Sequence, residues 1–339
     1  IIRGVLDKMY KKLHYIENKC TNPYYNLALE EYILTNKIND SFLILWQNDN
    51  AVIIGNNQNA YEEINAGFVG KNNISVVRRT TGGGAVYHDL GNLNFSFITE
   101  MNETDGFTIN DFTVPVIKAL SDIGIKAEAN GRNDITIDGR KISGNAQRIY
   151  KNRILHHGTL LFKSDIGRIA GALNVRPEKF ISKSTKSVES RVGNIADYLP
   201  EGTAIEDFWQ ALVRSFSKDT DFNSYELTAA DIEAAKKLAR EKYEDPQWTF
   251  RTVQPMGIKT SAKFDGGFIE VCLRVENGII TECRIFGDFM STADIDGLES
   301  SLAGTVFSPE EIKKAVLPLP LKDILGDITA DELVECIFN

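Results

Sequence analysis

Three consecutive glycines, Gly82-Gly83-Gly84, stand between two strand-like runs, Ile74 to Arg79 and Leu93 to Thr99. A backbone without Cβ atoms can bend sharply there and bring several N–H groups up to a ligand, as bulkier residues cannot. Arg78 and Arg79, directly upstream, add planar and permanently charged forks suited to a phosphate or a carboxylate. A flexible hairpin loop would carry the same residues, so this segment alone leaves both readings open. It is not a Walker A loop, which needs Gly-Lys followed by Ser or Thr. Nor is it a Rossmann fingerprint, because Tyr87 takes the place of the third glycine.

The surrounding pattern alternates strands and helices. Asn22-Pro23 reads as an N-cap and first helical residue, with Leu27, Ala28, Tyr32 and Ile33 at helical spacing to about Asn36. Strand-like runs follow at Phe42 to Gln47 and Ala51 to Gly55. A helix from about Asp111 to Ile123 ends at Gly124 and must hold Pro115 in its first turn or kink there. The runs Asp134 to Ile137 and Arg140 to Tyr150 are joined by Asp138-Gly139, a tight-hairpin signal, and another strand covers Ile154 to Phe162. Helices are expected at Asp165 to Leu173, Ile205 to Ser217 and Ala229 to Tyr243. The Lys/Ser-rich stretch Val175 to Ser190 reads as a long loop, and such loops are usually functional.

With 339 residues, the chain is long enough for two domains. The prolines of Asp245-Pro246 and Gln254-Pro255 suggest the boundary. This divides the chain into a first domain over 1–245, a linker over 246–256 that is expected to act as a hinge, and a second domain over 257–339. The last domain reads as a small α+β unit, with strands at Gly257 to Phe264, Phe268 to Val275 and Ile279 to Phe286 and three helices after them. Its longest strongly apolar run, and that of the whole chain, is far short of the ~20 residues that cross a bilayer, so no membrane association is expected. Ile1 to Tyr15 has no apolar stretch of the signal-peptide kind. Four cysteines without metal-binding or disulfide-scaffold spacing fit a reducing, cytoplasmic protein. The net charge is −9, yet residues 78–191 are basic. That suits a local anionic ligand such as a nucleotide better than a nucleic acid track.

Two further segments carry chemistry. In Gly131-Arg132-Asn133-Asp134-Ile135-Thr136-Ile137-Asp138-Gly139-Arg140-Lys141-Ile142-Ser143-Gly144, the isoleucines 135, 137 and 142 mark a core face, while Lys141 and Ser143 share the opposite face by strand alternation. Gly144 beside them leaves room for a ligand. In His156-His157-Gly158-Thr159, adjacent histidines point to opposite faces, so the two cannot share one metal. His156 reads as a structural residue.

In their order and spacing, RRTTGGGAVYHDLGN, GRNDITIDGRKISGNAQ, HHGTLLF and SVESRVGN resemble the lipoate-protein ligase family over nearly the whole chain. The resemblance implies an α/β, mixed-sheet catalytic domain of the biotin/lipoate-ligase kind and a small α+β C-terminal domain that can reorient between half-reactions. It also implies the activity: lipoate and ATP with Mg2+ give lipoyl-AMP and pyrophosphate. The lipoyl group then passes to a lysine of an apo lipoyl domain of a 2-oxoacid dehydrogenase complex or of the glycine cleavage H protein. A monomer is expected, with no nucleic acid partner.

Carried over by motif, Lys141 is the catalytic lysine between the lipoyl carbonyl and the α-phosphate. Arg79, Gly82, Gly83, Gly84, Ala85, Val86, Tyr87, Ser143 and Gly144 join it in holding ATP and the adenylate. Arg79, Lys141 and His157 touch lipoate, and Lys183, Ser187 and Arg191 belong to a loop that covers the adenylate. Asp134 is a hard-oxygen candidate for Mg2+. His157 and His88 can orient substrate or loop, and Leu27 and Val77 can line a tunnel for the acyl chain. An octanoyl or lipoyl transferase would need a cysteine nucleophile, and none lies between residues 21 and 271. A non-catalytic lipoate- or nucleotide-binding protein would not need the charged residues that are present.

Overall fold

The computed structural model describes residues 12–101, 108–174, 191–218, 220–251 and 256–338. In chain order the strands of the first domain are β1 (Leu13–Asn18), β2 (Ser41–Trp46), β3 (Ala51–Ile54), β4 (Ser75–Arg78), β5 (Val86–His88) and β6 (Asn92–Glu100). They continue as β7 (Glu128–Asn130), β8 (Asp134–Ile137), β9 (Arg140–Tyr150), β10 (Arg153–Leu161) and β11 (Phe222–Ser224). Eight of them form one sheet in the order β11-β1-β2-β6-β10-β9-β8-β7, and the other three form a small sheet, β4-β3-β5. Both are mixed: β1 runs parallel to β2 and β11, β3 parallel to β4, and the remaining neighbours are antiparallel.

The large sheet is covered on both faces, which explains the unbroken apolar run in β2. Leu43 and Leu45 point with Phe95 and Phe97 into one core, against Phe112 and Val116 of helix Ile109–Asp122 and Phe208 and Leu212 of helix Ile205–Phe216. Phe42, Ile44 and Trp46 point the other way, against Leu27, Ile33 and Leu34 of helix Pro23–Asn36. Each such buried side chain contributes about 1.5–3 kcal/mol. Helix Pro23–Asn36 starts where Asn22 accepts hydrogen bonds from the N–H groups of Tyr24 and Tyr25. Pro115 sits inside helix Ile109–Asp122, past its first turn, because the helix begins two residues earlier than the sequence pattern suggests.

The Asp138-Gly139 turn forms as expected, with both residues at positive φ. The strand pairing behind it does not keep simple alternation. Thr136 pairs with Lys141 but Ile135 with Ser143, so one extra residue bulges on β9. The bulge re-aims the strand: Ile142 stays in the core, and Lys141 and Ser143 do not share a face.

The C-terminal domain is an antiparallel sheet of β12 (Ile258–Phe264), β13 (Gly267–Glu276) and β14 (Ile279–Gly287), with helices Asp296–Leu302, Pro309–Val316, Leu321–Leu325 and Ala330–Phe338. It has its own core, including Val271, Leu273, Leu298 and Leu333. Within the expected linker, Pro246–Phe250 forms a helix tied to the first domain, where the Trp248 indole N–H donates to the Arg78 carbonyl at 2.9 Å. Segment 287–294 lies against the glycine loop and β9. Gly83 N–H donates to Phe289 O at 3.2 Å, Ile149 N–H to Thr292 O at 3.1 Å, and Arg148 pairs with Asp294 at 2.9 Å.

Candidate active site

A cavity of about 110 Å³ lies between the Trp46 face of the large sheet, helix Pro23–Asn36 and the small sheet with its glycine loop. Its inner walls are apolar, from Leu27, Trp46, Ile53 and Val86. Exposure defines its direction. The Lys141 side chain at the mouth is 38% exposed, whereas His88 and Asn94 at the inner end are 3% and 1% exposed.

Lys141 Nζ lies 2.6 Å from Asp134 Oδ1 and leans over Gly144, where a Cβ would stand 3.0 Å from Nζ. Gly144 therefore leaves room for the lysine itself. The Lys141 carbonyl accepts from Gly193 N–H at 2.9 Å, which fixes Gly193 beside β9. Asp134, Lys141 and Arg191 also line a second, outer cavity of about 370 Å³. Lys183 and Ser187 lie outside the described residues.

Arg79 lines the inner cavity and is buried. Its guanidinium donates to Thr81 Oγ1 (2.9 Å), Ile53 O (3.2 Å), Gly82 O (2.6 Å) and Gly84 O (2.9 Å). Three of its five donors thus hold the loop in shape, and a fourth ties it to β3 at Ile53. Burial lowers its pKa to about 10, still charged at neutral pH. Arg78 is wholly buried and donates to the carbonyls of Gly55, Asn56, Gln58, Trp248 and Thr249. It is a structural tie, and the expectation that it offers charge to a ligand is not met.

The glycine loop divides its labour. Gly83, Gly84, Ala85 and Val86 line the cavity. Gly82 does not: a Cβ there would meet Ser291 N at 2.7 Å and Phe289 O at 2.9 Å, so it serves the fit to the C-terminal domain. Tyr87 points away, with its hydroxyl donating to Asn50 Oδ1 at 3.0 Å. Ser143 is buried outside the lining because of the bulge, and Val77 is core. Leu27 and His157 line the cavity.

His157 Nδ1 lies 2.9 Å from Glu30 Oε1, and its Nε2 lies 2.8 Å from Thr81 Oγ1. Glu30 also accepts from Ser96 Oγ at 2.5 Å, which in turn accepts from the Trp46 indole at 2.7 Å. A buried chain therefore runs from helix Pro23–Asn36 through His157 and Thr81 to Arg79. His156 faces the other core, stacked on Phe112 with centroids 4.8 Å apart. Its burial keeps its pKa well below the ordinary value.

Several of these residues are missed by motif reasoning. Glu30 carries a signal, since it falls on the apolar stripe with Leu27, Ile33 and Leu34. Asn92, Asn94 and Ser96 carry another, as they alternate with Leu93, Phe95 and Phe97 and make a polar face on a strand that is buried from Asn92 to Thr99. Thr81, Asn133, Asn145 and Thr159 carry none.

The fold and site define a two-domain α/β protein with a partly apolar cavity that is lined by a lysine and a glycine loop. The family described as lipoyl protein ligase A/B catalytic domain matches residues 22–217, and that described as bacterial lipoate protein ligase C-terminus matches 255–337. Lipoate–protein ligase 1 of Staphylococcus aureus is 40% identical over 318 residues, 94% of this chain and 97% of that protein. Among solved structures, a bipartite lipoate protein ligase of Thermoplasma acidophilum, studied with its E2 lipoyl domain, is 32% identical with a TM-score of 0.64, over 74% of this chain and 100% of that one. A lipoate-protein ligase A bound with ATP is 30% identical with a TM-score of 0.60, over 71% and 99%. The chain belongs to the lipoate-protein ligase family, a family of enzymes.

Proposed function

We propose that this enzyme activates lipoate with ATP to lipoyl-AMP and pyrophosphate, then transfers the lipoyl group to a lysine of an apo lipoyl domain. The observation that carries the reading is the Lys141 ammonium at the mouth of an acyl-sized apolar cavity, next to Gly83 and Gly84. When a carboxylate attacks the α-phosphate, two anions must meet and charge grows on the phosphoryl oxygens. A point-charge ammonium between them relieves the repulsion and stabilises the transition state. In the second step the mixed anhydride is already activated, so the site need only position the incoming amine. No covalent enzyme intermediate is needed.

Among the described residues no group of three or more His, Cys, Asp or Glu converges on a metal site. Mg2+ commonly takes one or two carboxylates with substrate phosphates, and Asp134 beside Lys141 fits that use. There it would neutralise phosphate charge. The acceptors are lipoyl domains of 2-oxoacid dehydrogenase complexes and the glycine cleavage H protein. Four unpaired cysteines support a cytoplasmic home.

Cys272 and Cys336 are poor nucleophiles for a cysteine-dependent acyl transfer. Burial pushes Cys272 and Cys336 up to about 11, and both lie in the C-terminal core or sheet. The test is lipoate-dependent pyrophosphate release with ATP and Mg2+, run beside intact-mass analysis of an added apo lipoyl domain. Pyrophosphate with a lipoyl mass gain supports the ligase. The absence of both signals would overturn it.

A further inference from the structure

The inner end of the cavity carries two buried N–H donors, His88 Nε2 and Asn94 Nδ2, and the surrounding network fixes the first of them. Asn26 Nδ2 donates to the carbonyls of Cys20 (2.9 Å) and Gln47 (2.8 Å), which settles that amide. The Asn48 oxygen accepts from the same nitrogen at 2.9 Å, so Asn48 turns its own Nδ2 toward His88 Nδ1, 3.1 Å away. Nδ1 therefore accepts, and the proton of the neutral ring sits on Nε2. Burial, with Arg79 and His157 nearby, lowers the His88 pKa to about 3 and keeps the ring neutral. Asn94 accepts from Asn92 Nδ2 through Oδ1 at 2.9 Å, an arrangement that leaves the Asn94 Nδ2 and the Asn92 Oδ1 both without partners among the described residues. Both residues line the cavity, and neither His88 Nε2 nor Asn94 Nδ2 has a hydrogen-bond partner among the described residues.

Their distance from the mouth follows from sheet register. Asn94 on β6 pairs with Thr159 on β10, whose hydroxyl accepts from Gly144 N–H on β9 at 3.1 Å, and Gly144 pairs with Asp134. Two strand spacings, about 10 Å, separate Asn94 from Gly144 and the Lys141 ammonium above it. That is the reach of a short acyl chain. With the carboxylate at Lys141, the far end of the chain arrives at Trp46, His88 and Asn94.

We infer that His88 and Asn94 are specificity-determining residues that select an acyl substrate with hydrogen-bond-accepting atoms, such as ring sulfurs, at its distal end. The inference rests on the ligase reading above. Sulfur is a weak acceptor, but a saturated hydrocarbon tail offers none. A tail such as that of octanoate would displace water and leave two desolvated donors unpaired, a penalty the dithiolane of lipoate avoids. Discrimination then comes from rejecting the wrong chain as much as from attracting the right one.

The test compares kcat/KM for pyrophosphate release with lipoate, octanoate and a thioether analogue of octanoate. In the wild-type enzyme the order is lipoate, then thioether, then octanoate. Asn94→Leu and His88→Asn, the latter keeping an acceptor for Asn48 but no distal donor, lower the lipoate-to-octanoate ratio about tenfold. His88→Gln, which can present an N–H at the Nε2 position, retains most of the ratio. An equal fall for both acids in the variants, or a wild-type enzyme indifferent to distal sulfur, overturns the assignment. The substrate series needs no variant, so a misfolded mutant does not rescue the idea. No pyrophosphate from the wild type with any of these acids would instead sink the ligase reading beneath it.

Discussion

Lys141 Nζ and Asp134 Oδ1, 2.6 Å apart, face each other across neighbouring strands at the place where the β8–β9 register slips by one residue. The slip turns a lysine that simple alternation would pair with Ser143 toward the cavity mouth and gives it a carboxylate partner. That partner fixes the ammonium in a site whose ligands, under the proposed function, are themselves anions. Substrate phosphates and the lipoyl carboxylate would compete with Asp134 for the same charge.

Lys141→Ala should lower the rate of lipoate-dependent pyrophosphate release by about 10²–10³-fold with little change in stability, since the side chain is partly exposed and its deletion leaves no cavity in the core. Lys141→Arg should fail to restore it, because a planar fork cannot replace a compact ammonium above Gly144. Near-normal turnover in either folded variant refutes the role.

The Glu30 carboxylate is buried and is shared by His157 and Ser96. Glu30→Ala should cost about 3 kcal/mol in urea unfolding, because it strips the partner from a buried polar network. Glu30→Gln keeps size and one acceptor, and should cost about 1 kcal/mol. Its kcat/KM should still fall about tenfold as His157, Thr81 and the Arg79 loop lose their registry. Unchanged kinetics in Glu30→Gln would show that the chain to Arg79 does not position the site.

Much of this arrangement is legible in the sequence where local chemistry decides it. The Asp138-Gly139 turn, the Asn22 cap, the strand content and the separate C-terminal unit all follow from short-range signals. β1 is not legible, because Leu13 and Tyr15 enter one core and Ile16 the other, which erases alternation. The bulge at Ile142 is set by pairing with β8, and no residue on β9 announces it. Arg78 and Arg79 look equivalent in sequence. Only the return of Trp248 and Thr249 from a distant segment makes one a structural tie while the other lines the cavity.

That difference can be measured. Arg78 is fully buried with all its bonds to main-chain carbonyls, so Arg78→Lys should destabilise the fold by about 3 kcal/mol, since an ammonium cannot reach carbonyls on both sides. The KM for ATP, determined on the folded fraction at low temperature, should stay within about twofold of wild type. A large rise in that KM with unchanged melting temperature would return Arg78 to the ligand.

Acid should weaken the protein through two buried neutral histidines. An unfolded chain protonates histidine near pH 6.5. In the native state burial, with Arg79 and His157 adding repulsion, lowers His88 to about 3, and burial next to His157 holds His156 well below its ordinary value. Between these limits the unfolded state binds more protons than the native state, so stability rises with pH there and is fully present only above about 6.5. Each histidine contributes about 1.4 kcal/mol per pH unit within the window, so lowering the pH from 7.5 to 5.5 should remove about 2–3 kcal/mol. Urea unfolding at the two pH values measures this directly. His156→Gln, whose wild-type ring bonds Gln147 and Asn145 in neutral form, should show about half the pH slope of wild type. A stability that does not change between pH 7.5 and 5.5 would mean that one or both rings are free to take a proton in the folded chain. The neutral ring assigned to His88 would then have to be reconsidered with it.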